Sequence, residues 1–596
     1  MDKDYRIQPP QATARENIQD ALESAGEKLV DLKGLWPRPS DYADLPRSWR
    51  KDMLAGITVG VVALPLALGF GVASGAGAAA GLATAIVAGF VAAVFGGSHL
   101  QVSGPTGAMT VVLLPVIHLY GLSVIPTLAL MAGVIVVIMA ITGMGGSVDL
   151  LPHSVIEGFT MGIGVIIMLQ QVPLLLGTPA ANAESSAVAA WLTGAATDWS
   201  TAWRPLVVAA LVVVIHLIGR RLAPHLPMAL IAIAIATLAV ELTGFDVARI
   251  GVLPSMLPAP SLPLTDLETL QALLAPAFAI AALAALESLL SARVADGMVP
   301  DLTRTNPNRE LMGQGLANMA SGLFGGLPAT GAIARTAVNV RTGARTRLAS
   351  VSHAAVLLLI MLALGPLVAR IPMAALGGVL VMVAANMVSW RTVTTIWRTT
   401  RADRHTFFIT FIATVALDLV AAVLLGVAMA AFMSLRHMAN YTVVRRQHLP
   451  ADTREGIIDL KPDQESLRDR IAIFRVDGAL FYGNAHRFSD EVTSVEDVAA
   501  VILRFHRMSV LDASGAEAIK DIMRVLRRRH IPVIVQGMTK AQIRTTLVTG
   551  AVAEDQHVWQ LSEALARAIA IAEPGLGDPG PLIHPKKPAG SQPPIV

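Results

Sequence analysis

Apolar residues gather along this chain in long blocks, mostly Ala, Val, Leu and Ile, of roughly 16–22 residues, close to what an α-helix needs to cross a hydrocarbon core. The clearest blocks cover 53–70, 121–143, 205–219, 352–368 and 407–425. A helix buried in a soluble core would be shorter and would keep a polar face, so these blocks predict membrane spans. The pattern stops after Leu435, where Arg436, His437, Arg445, Arg446 and His448 lead into a charged stretch. The chain beyond them reads as a soluble α/β domain, with strands at 471–476, 499–505 and 532–536 and helices at 516–528 and 540–548. The opening 46 residues are polar, with a short amphipathic helix over 16–32, and the Pro/Gly-rich tail from Pro574 reads as disordered. The predicted organisation is a cytoplasmic segment (1–46), a transmembrane domain (47–440), a soluble cytoplasmic domain (441–573) and a tail (574–596).

Composition agrees: 54% of the 596 residues are hydrophobic and only 15% charged, which places most of the chain in lipid. The net charge of +3 is small, so a nucleic-acid partner has little to bind. No cysteine is present, which excludes disulfides and thiolate metal sites. No apolar run follows a basic start, so no cleaved signal peptide is expected. Cationic loops are retained on the cytoplasmic side. Arg47, Arg50 and Lys51 therefore place the amino terminus inside, and four further inside loops are marked by Arg220 and Arg221, by Arg293, Arg304 and Arg309, by Arg341, Arg345 and Arg347, and by Arg391, Arg398, Arg401 and Arg404. The segment 178–203 has no Lys or Arg, carries Glu184 and Asp198, and holds Trp191, Trp199 and Trp203 as interfacial anchors. It should lie outside, as should the Pro-rich 245–271, whose one basic residue is Arg249. The expectation is an integral protein of the plasma membrane, the inner membrane in a bacterium, with both termini cytoplasmic.

Two apolar segments are unusually short and opened by proline and glycine: SGPTGAMTVVLL from Ser103 and GLPATGAIARTAV from Gly326. Thr106 and Thr330 in them lie 224 residues apart, and the same offset carries Glu287 back to Ala63, beside Pro65 in the first span. The membrane part therefore reads as two halves on one plan. Interrupted spans at matching places in two repeats point to a transporter's binding site, because half-helices end in mid-membrane with their amino ends facing a cavity. The free N–H groups of a helix's first turn suit an anion. Here they would come from Gly107, Ala108 and Met109 in one half and Gly331, Ala332 and Ile333 in the other, small residues letting the ion come close.

Arg335 stands one helical turn after Gly331 in an otherwise apolar stretch, where a cation is costly unless it faces a cavity or partner. It reads either as a fixed positive charge behind the anion or as a helix-end arginine snorkelling toward Arg341. Glu287, within ALAALESLLSARVADG, has no basic neighbour before Arg293. A carboxyl there suits proton coupling, the alternative being an acid permanently paired with Arg335. Ser288 and Ser291 would complete a polar or sodium-binding surface, or serve as interhelical glue. Glu157, Glu241 and Asp418 fall near span ends, and His118, His216 and His353 read as satisfied packing histidines. No metal-spaced or Ser/His/Asp cluster stands out, so neither an enzyme nor a bound cofactor is expected.

Four segments in order, LPLALGFGVASGAG from Leu64, SGPTGAMTVV from Ser103, ALESLLSARVADG from Ala285 and GQGLANMASGLFGGLPATGAIARTAVN from Gly313, resemble the sulfate permease (SulP) family of anion transporters, from about residue 45 to 548. The resemblance implies an all-α membrane domain of fourteen spans in two inverted seven-span repeats, a core moving against a gate in an elevator-like cycle, and a homodimer. It implies an anion site at Pro65, Phe70, Thr106 to Met109 and Gly331 to Arg335, with Glu287 as the acid assigned to coupling in proton-linked members. Leu66 stands where many sulfate and animal members have glutamine. The first span and SGPTGAMTVV look similar to cyanobacterial bicarbonate members, and GAIARTAVNVRTGA is closer to bacterial dicarboxylate and sulfate types. The soluble part resembles a STAS domain through VLDASGAEAI from Val510. That resemblance makes Ser514 a candidate phosphorylation site, or else the cap of the helix after it, and suggests a cytoplasmic regulatory partner. The expected function is secondary transport of a small anion, sulfate first, then dicarboxylate or bicarbonate, by proton-coupled symport. Alternatives are an exchanger or channel of the same fold, sodium-coupled bicarbonate uptake, and a nucleobase permease of related fold, which the cationic site and STAS-like domain argue against.

Overall fold

The computed structural model describes residues 32–146, 152–181, 183, 185–223, 226–263, 265–417, 419–441, 443–553 apart from 453–456, 556–573 and 582–584. The helix expected at 16–32 and the tail lie almost wholly outside these residues, as do Glu184 and Asp418. The chain divides into two compact units, Met1–Ala428 and Met429–Val596.

The first unit is helical: α1 (Leu45–Ala73), α2 (Ala78–Phe95), α3 (Gly107–Tyr120), α4 (Ile125–Ile141), α5 (His153–Gln170), α6 (Val172–Leu176), α7 (Ser186–Ala195), α8 (Trp199–Leu222), α9 (Met228–Thr243), α10 (Leu267–Met298), α11 (Pro307–Leu323), α12 (Ile333–Arg341), α13 (Leu348–Val368), α14 (Met373–Met387), α15 (Trp390–Arg398) and α16 (Arg401–Ala416), with α17 (Leu419–Tyr441) running on into the second. Among the described residues eight helical stretches are long and apolar enough to cross a membrane, and four shorter apolar helices accompany them. The block at 407–425 is not one span: α16 ends at Ala416, with the Leu417 amide donating to Ala413 O at 2.8 Å, and a new helix begins at Leu419. Hydropathy registers the apolar content of both helix ends and is blind to the break between them.

Most of the packing falls into two groups of helices, which meet where α14 and α9 touch α1 and where α3 touches α5. In one, α1 lies against α13, α2 against α11 and α13, and α4 against α10 and α11. In the other, α5 lies against α14 and α16, and α8 against α9 and α14. Glycines allow the closest approaches: a Cβ on Gly56 would stand 2.4 Å from the Ala349 carbonyl, joining α1 to α13.

Buried carboxylates tie loops to helix ends. Asp52 in α1 accepts from Ser48 Oγ (2.6 Å), the Arg345 and Thr346 amides (2.7 and 3.0 Å) and Thr346 Oγ1 (2.8 Å). Glu310 at the start of α11 accepts the Gly97 and Ser98 amides, both at 2.8 Å. Two arginines that the sequence marks as inside-loop charges prove to be buried: Arg347, donating to the Ala93 carbonyl at 3.1 Å, and Arg309, held by Asp41 at 2.6 and 3.0 Å. Charge counting cannot separate a solvated arginine from one folded back onto a helix end.

In the second unit a five-stranded sheet runs β3 (Val443–Gln447), β6 (Ile471–Leu480), β7 (Ala500–Leu511), β8 (Val533–Gln536), β9 (His557–Val558), parallel except for β3 against β6. A smaller antiparallel sheet joins β4 (Ala451–Asp452), β5 (Ile457–Asp459) and β10 (Leu582–His584). Alternation along β6 sends Phe474 and Val476 into one core with α18 (Ala485–Thr493) and α19 (Ala513–Arg528), and Ile471 and Ile473 into another under α21 (Leu561–Ala572), while α20 (Lys540–Thr549) follows β8. Each expected strand and helix of this domain is present, α19 starting three residues early. Its cap is not Ser514 but Asp512, which accepts the Gly515 amide at 2.7 Å and the Tyr482 amide at 3.2 Å. Ser514 sits exposed in the first turn.

The Asp41–Arg309 pair fastens the segment before α1 to the start of α11. Burial by itself would raise the Asp41 carboxyl, but the hydrogen bonds from Arg309 and the Arg38 amide prevail and hold it down at about 2. Its proton affinity is thus lower folded than unfolded, so the pair's contribution is complete above roughly pH 5 and fades as pH falls toward 2. Asp41→Ala leaves a buried guanidinium unpaired and should cost about 3 kcal/mol. Thermal unfolding of the detergent-solubilised protein should show this loss at pH 7; an unchanged midpoint would show that the pair contributes nothing.

Candidate functional site

The two interrupted segments meet. β1 (Ser103–Gly104) and β2 (Thr330–Gly331) form a short antiparallel pair, Ser103 opposite Gly331 and Gly104 opposite Thr330, and each strand leads within a few residues into a helix, α3 or α12. Buried polar side chains complete the crossing. Gln314 accepts from Ser103 Oγ (2.9 Å) and donates to the Ala329 carbonyl (3.1 Å); Asn318 both donates to and accepts from the Ala329 backbone at 2.8 Å. Thr336 Oγ1 accepts the Val102 amide at 3.1 Å and the Ser291 hydroxyl at 2.9 Å.

In α3 the first-turn amides of Gly107, Ala108 and Met109 carry no protein partner among the described residues, as expected. In α12 they fall elsewhere than expected. The Gly331 amide donates to Ser288 Oγ (3.0 Å) and the Ala332 amide to the Val102 carbonyl (2.9 Å), so the free donors are those of Ile333, Ala334 and Arg335. The helices begin at Gly107 and Ile333, two positions further apart than the Thr106/Thr330 match. The second half spends two more residues in the crossing before its helix starts.

Both helix ends open on a cavity of about 390 Å³. One wall is Leu66 and Phe70 of α1, Thr106 to Ala108, Leu286, Glu287 and Leu290 of α10, and Gly331 to Arg335. The facing wall is α5 (Val155, Ile156, Phe159, Thr160, Ile163) and α14 (Val383, Asn386, Met387). Arg335 is 2% exposed; Nη2 donates to the Pro105 carbonyl at 2.9 Å, and Nη1 has no protein partner. Burial of this kind removes the snorkelling alternative. Glu287 Oε2 accepts from Thr106 Oγ1 at 3.0 Å, and no ion pair joins Glu287 to Arg335 among the described residues. Gly104 lies beneath the guanidinium, where a Cβ would stand 2.7 Å from Nη1.

Other expected residues stand further back. Pro65 is buried inside α1 and Met109 in the core beside α4 and α10; neither lines the cavity. Ser288 and Ser291 brace β2 and α12 from behind, Ser288 Oγ lying 3.2 Å from Thr330 Oγ1. His353 is fully buried with neither ring nitrogen partnered, and His216 Nδ1 is likewise without a partner, so these two histidines are not satisfied as expected. His118 lines a separate cavity of about 880 Å³ with Gln170 and Asp246. Gln314, Asn318 and Thr336 were not expected from the sequence. The spacing of Gln314 and Asn318, one helical turn apart in a glycine-rich span, is the signal that a polar contact was being made.

Comparison with known proteins agrees with this architecture. Residues 49–410 match the sulfate permease family and residues 466–564 the STAS domain. The chain is 33% identical over 501 residues to YvdB of Bacillus subtilis, covering 83% of this chain and 92% of that protein. It is 31% identical over 556 residues to the bicarbonate transporter BicA of Synechocystis, covering 90% and 97%. Among solved structures, the transmembrane domain of a cyanobacterial BicA is 33% identical with a TM-score of 0.58, covering 63% of this chain and 98% of that one. Murine Slc26a9 in its inward-facing state, 18% identical, shares the fold with a TM-score of 0.78 over 95% of this chain and 100% of that one. The crossing of two half-helices, the family match over most of the membrane unit and the STAS match beyond it lead to one conclusion: this chain belongs to the sulfate permease family and is an anion transporter of the membrane.

Proposed function

We propose that the protein is a secondary active transporter that takes one small anion between the amino ends of α3 and α12 and moves it together with protons. The observation that carries this reading is the convergence, on one 390 Å³ cavity, of two sets of free helix amides, the buried Arg335 and the carboxyl of Glu287. The amides and guanidinium supply positive potential without a mobile side chain. Thr106 links the two functions, since it starts α3 and donates to Glu287. The grouping of helices on the two sides of the cavity supports an elevator-like motion, with the half-helix wall sliding past α5 and α14 where α3 meets α5 and α1 meets α14.

Sulfate is the substrate we propose first, with dicarboxylate and bicarbonate as alternatives. A second reading, sodium-coupled bicarbonate uptake, is favoured by the likeness to BicA and by the oxygens clustered at Ser288 and Thr330. Uptake by purified protein in liposomes, offered sulfate, bicarbonate, succinate and fumarate under separate proton and sodium gradients, distinguishes them. Uptake of none of these anions would overturn the proposal.

Arg335→Ala should weaken anion binding by about 1–3 kcal/mol while the protein still folds, because both helix ends remain. Gly104→Ala should weaken it in the same direction by pushing the guanidinium aside. Equilibrium binding with melting curves checks both, and unchanged affinity in folded Arg335→Ala would remove the arginine from the site.

Glu287→Gln keeps a neutral group in place but has no proton to release. The variant should still bind and exchange anion yet lose net uptake driven by a proton gradient. Wild-type transport should rise as external pH falls, since each uncompensated negative charge moved inward costs about 2.3 kcal/mol per 100 mV. Full proton-driven accumulation by Glu287→Gln, or a wild type that answers to sodium and ignores pH, would reassign Glu287.

A further inference from the structure

Away from the transport cavity, α15 and the start of α16 form a corner where aromatic, apolar and cationic side chains meet. Along α15, Trp390, Val393 and Trp397 recur on one side of the helix, and Arg391, Thr394, Thr395 and Arg398 on another. Trp390 and Trp397 are 71% and 57% exposed. The chain turns at Thr399 and Thr400 and enters α16, whose opening Arg401, Arg404 and His405 give way within one turn to an apolar run ending at Ala416.

Trp397 meets Phe408 edge-on (5.6 Å between centroids, 85° between planes), and the Arg404 guanidinium lies 5.9 Å above the Trp397 ring. With Arg401, His405 and Ile409 they surround a cavity of about 650 Å³. Its lining is almost wholly apolar, and the charged ends of Arg401 and Arg404 stand at its rim. Asp403, the one carboxylate between Ser389 and Ile409, is engaged by its own helix cap, Thr400 Oγ1 donating to it at 2.8 Å. Among the described residues none of Arg391, Arg398, Arg401 and Arg404 forms an ion pair.

A soluble anion would satisfy the rim and leave the aromatic floor without a use. A phospholipid uses both: arginines attract an anionic headgroup, and tryptophan and phenylalanine belong at the depth of the glycerol and first acyl carbons. The transition from charged to apolar sequence along α16 places the cavity at that depth. We propose that the cavity bounded by Trp397, Arg401, Arg404 and Phe408 receives the glycerol and first acyl carbons of an anionic phospholipid, whose phosphate meets Arg401 and Arg404 at its rim. The lipid seats on the membrane a corner attached to α14, whose residues line the transport cavity, and to α16, which packs on α5. Binding does not depend on which anion is carried.

Native mass spectrometry of the full-length protein, released from detergent after equilibration with equal amounts of phosphatidylglycerol and phosphatidylcholine, reads the occupant. Wild type should retain phosphatidylglycerol over phosphatidylcholine by about thirtyfold, as expected from two arginines at about 1 kcal/mol each near a charged surface. R401Q/R404Q should bring the ratio close to one, R401K/R404K should keep most of it, and W397A should lower the retention of both lipids. Millimolar inorganic phosphate should not displace the lipid. R220Q, which removes an arginine elsewhere, should leave the ratio unchanged. If R401Q/R404Q fails to fold, R404Q alone should lower the ratio part of the way toward one, and an unmoved ratio in folded R404Q would count against the proposal in the same manner. An equal ratio in wild type, a ratio unmoved in folded R401Q/R404Q, or displacement by phosphate would overturn the proposal, as would a change of oligomeric mass in R401Q/R404Q without lipid loss, which marks a contact between copies.

Discussion

Everything in the membrane unit depends on one requirement: non-helical backbone inside a bilayer must find every hydrogen bond within the protein. Helices satisfy it by themselves, but a chain that stops a helix in mid-membrane to present its amino end does not. Here the two exposed stretches answer each other. Ser103 and Gly104 pair with Thr330 and Gly331, the Val102 carbonyl takes the Ala332 amide, and Gln314, Asn318, Ser288 and Thr336 take up remaining groups. The amides left over are the ones pointing at the cavity. The proposed anion site is therefore the set of donors that the crossing does not need for itself.

The same requirement explains the small residues. A Cβ on Gly331 would stand 2.0 Å from the Gln101 side chain, and one on Gly107 would stand 2.1 Å from Ile167 Cδ1. A methyl group at either position would need the end of the Gln101 or Ile167 side chain to move away. Arg335 fits because Gly104 leaves a flat shelf of backbone below it. An arginine buried this deeply is expensive, and the Pro105 carbonyl offsets part of that cost while leaving one nitrogen free.

Much of this could be read from the sequence because it follows from local chemistry. The apolar blocks, the paired Pro/Thr-Gly-Ala segments and the isolated Arg335 and Glu287 are each visible without neighbours, and the strands at 471–476 and 532–536 show in their alternation. The features that could not be read depend on which groups meet in three dimensions. Whether the Gly331 amide is free turns on Ser288, 43 residues away in sequence. Whether Arg309 is a loop charge or a buried one turns on Asp41, 268 residues away. The break at 417 inside an apolar block, and the cap at Asp512 in place of Ser514, are decisions of backbone geometry that leave hydropathy nearly unchanged.

The crossing also sets a timetable for the protein's synthesis. Ser103 and Gly104 find their partners only in residues more than 200 positions later in the chain. At ordinary rates of translation that interval is on the order of tens of seconds. During it the polar strand of the first half has no partner among the residues yet made. Until then the nascent chain must be kept from water and from foreign strands by the insertion machinery or by its own neighbouring helices. A protein divided between its two repeats would thus deliver two halves, neither of which has a satisfied backbone alone.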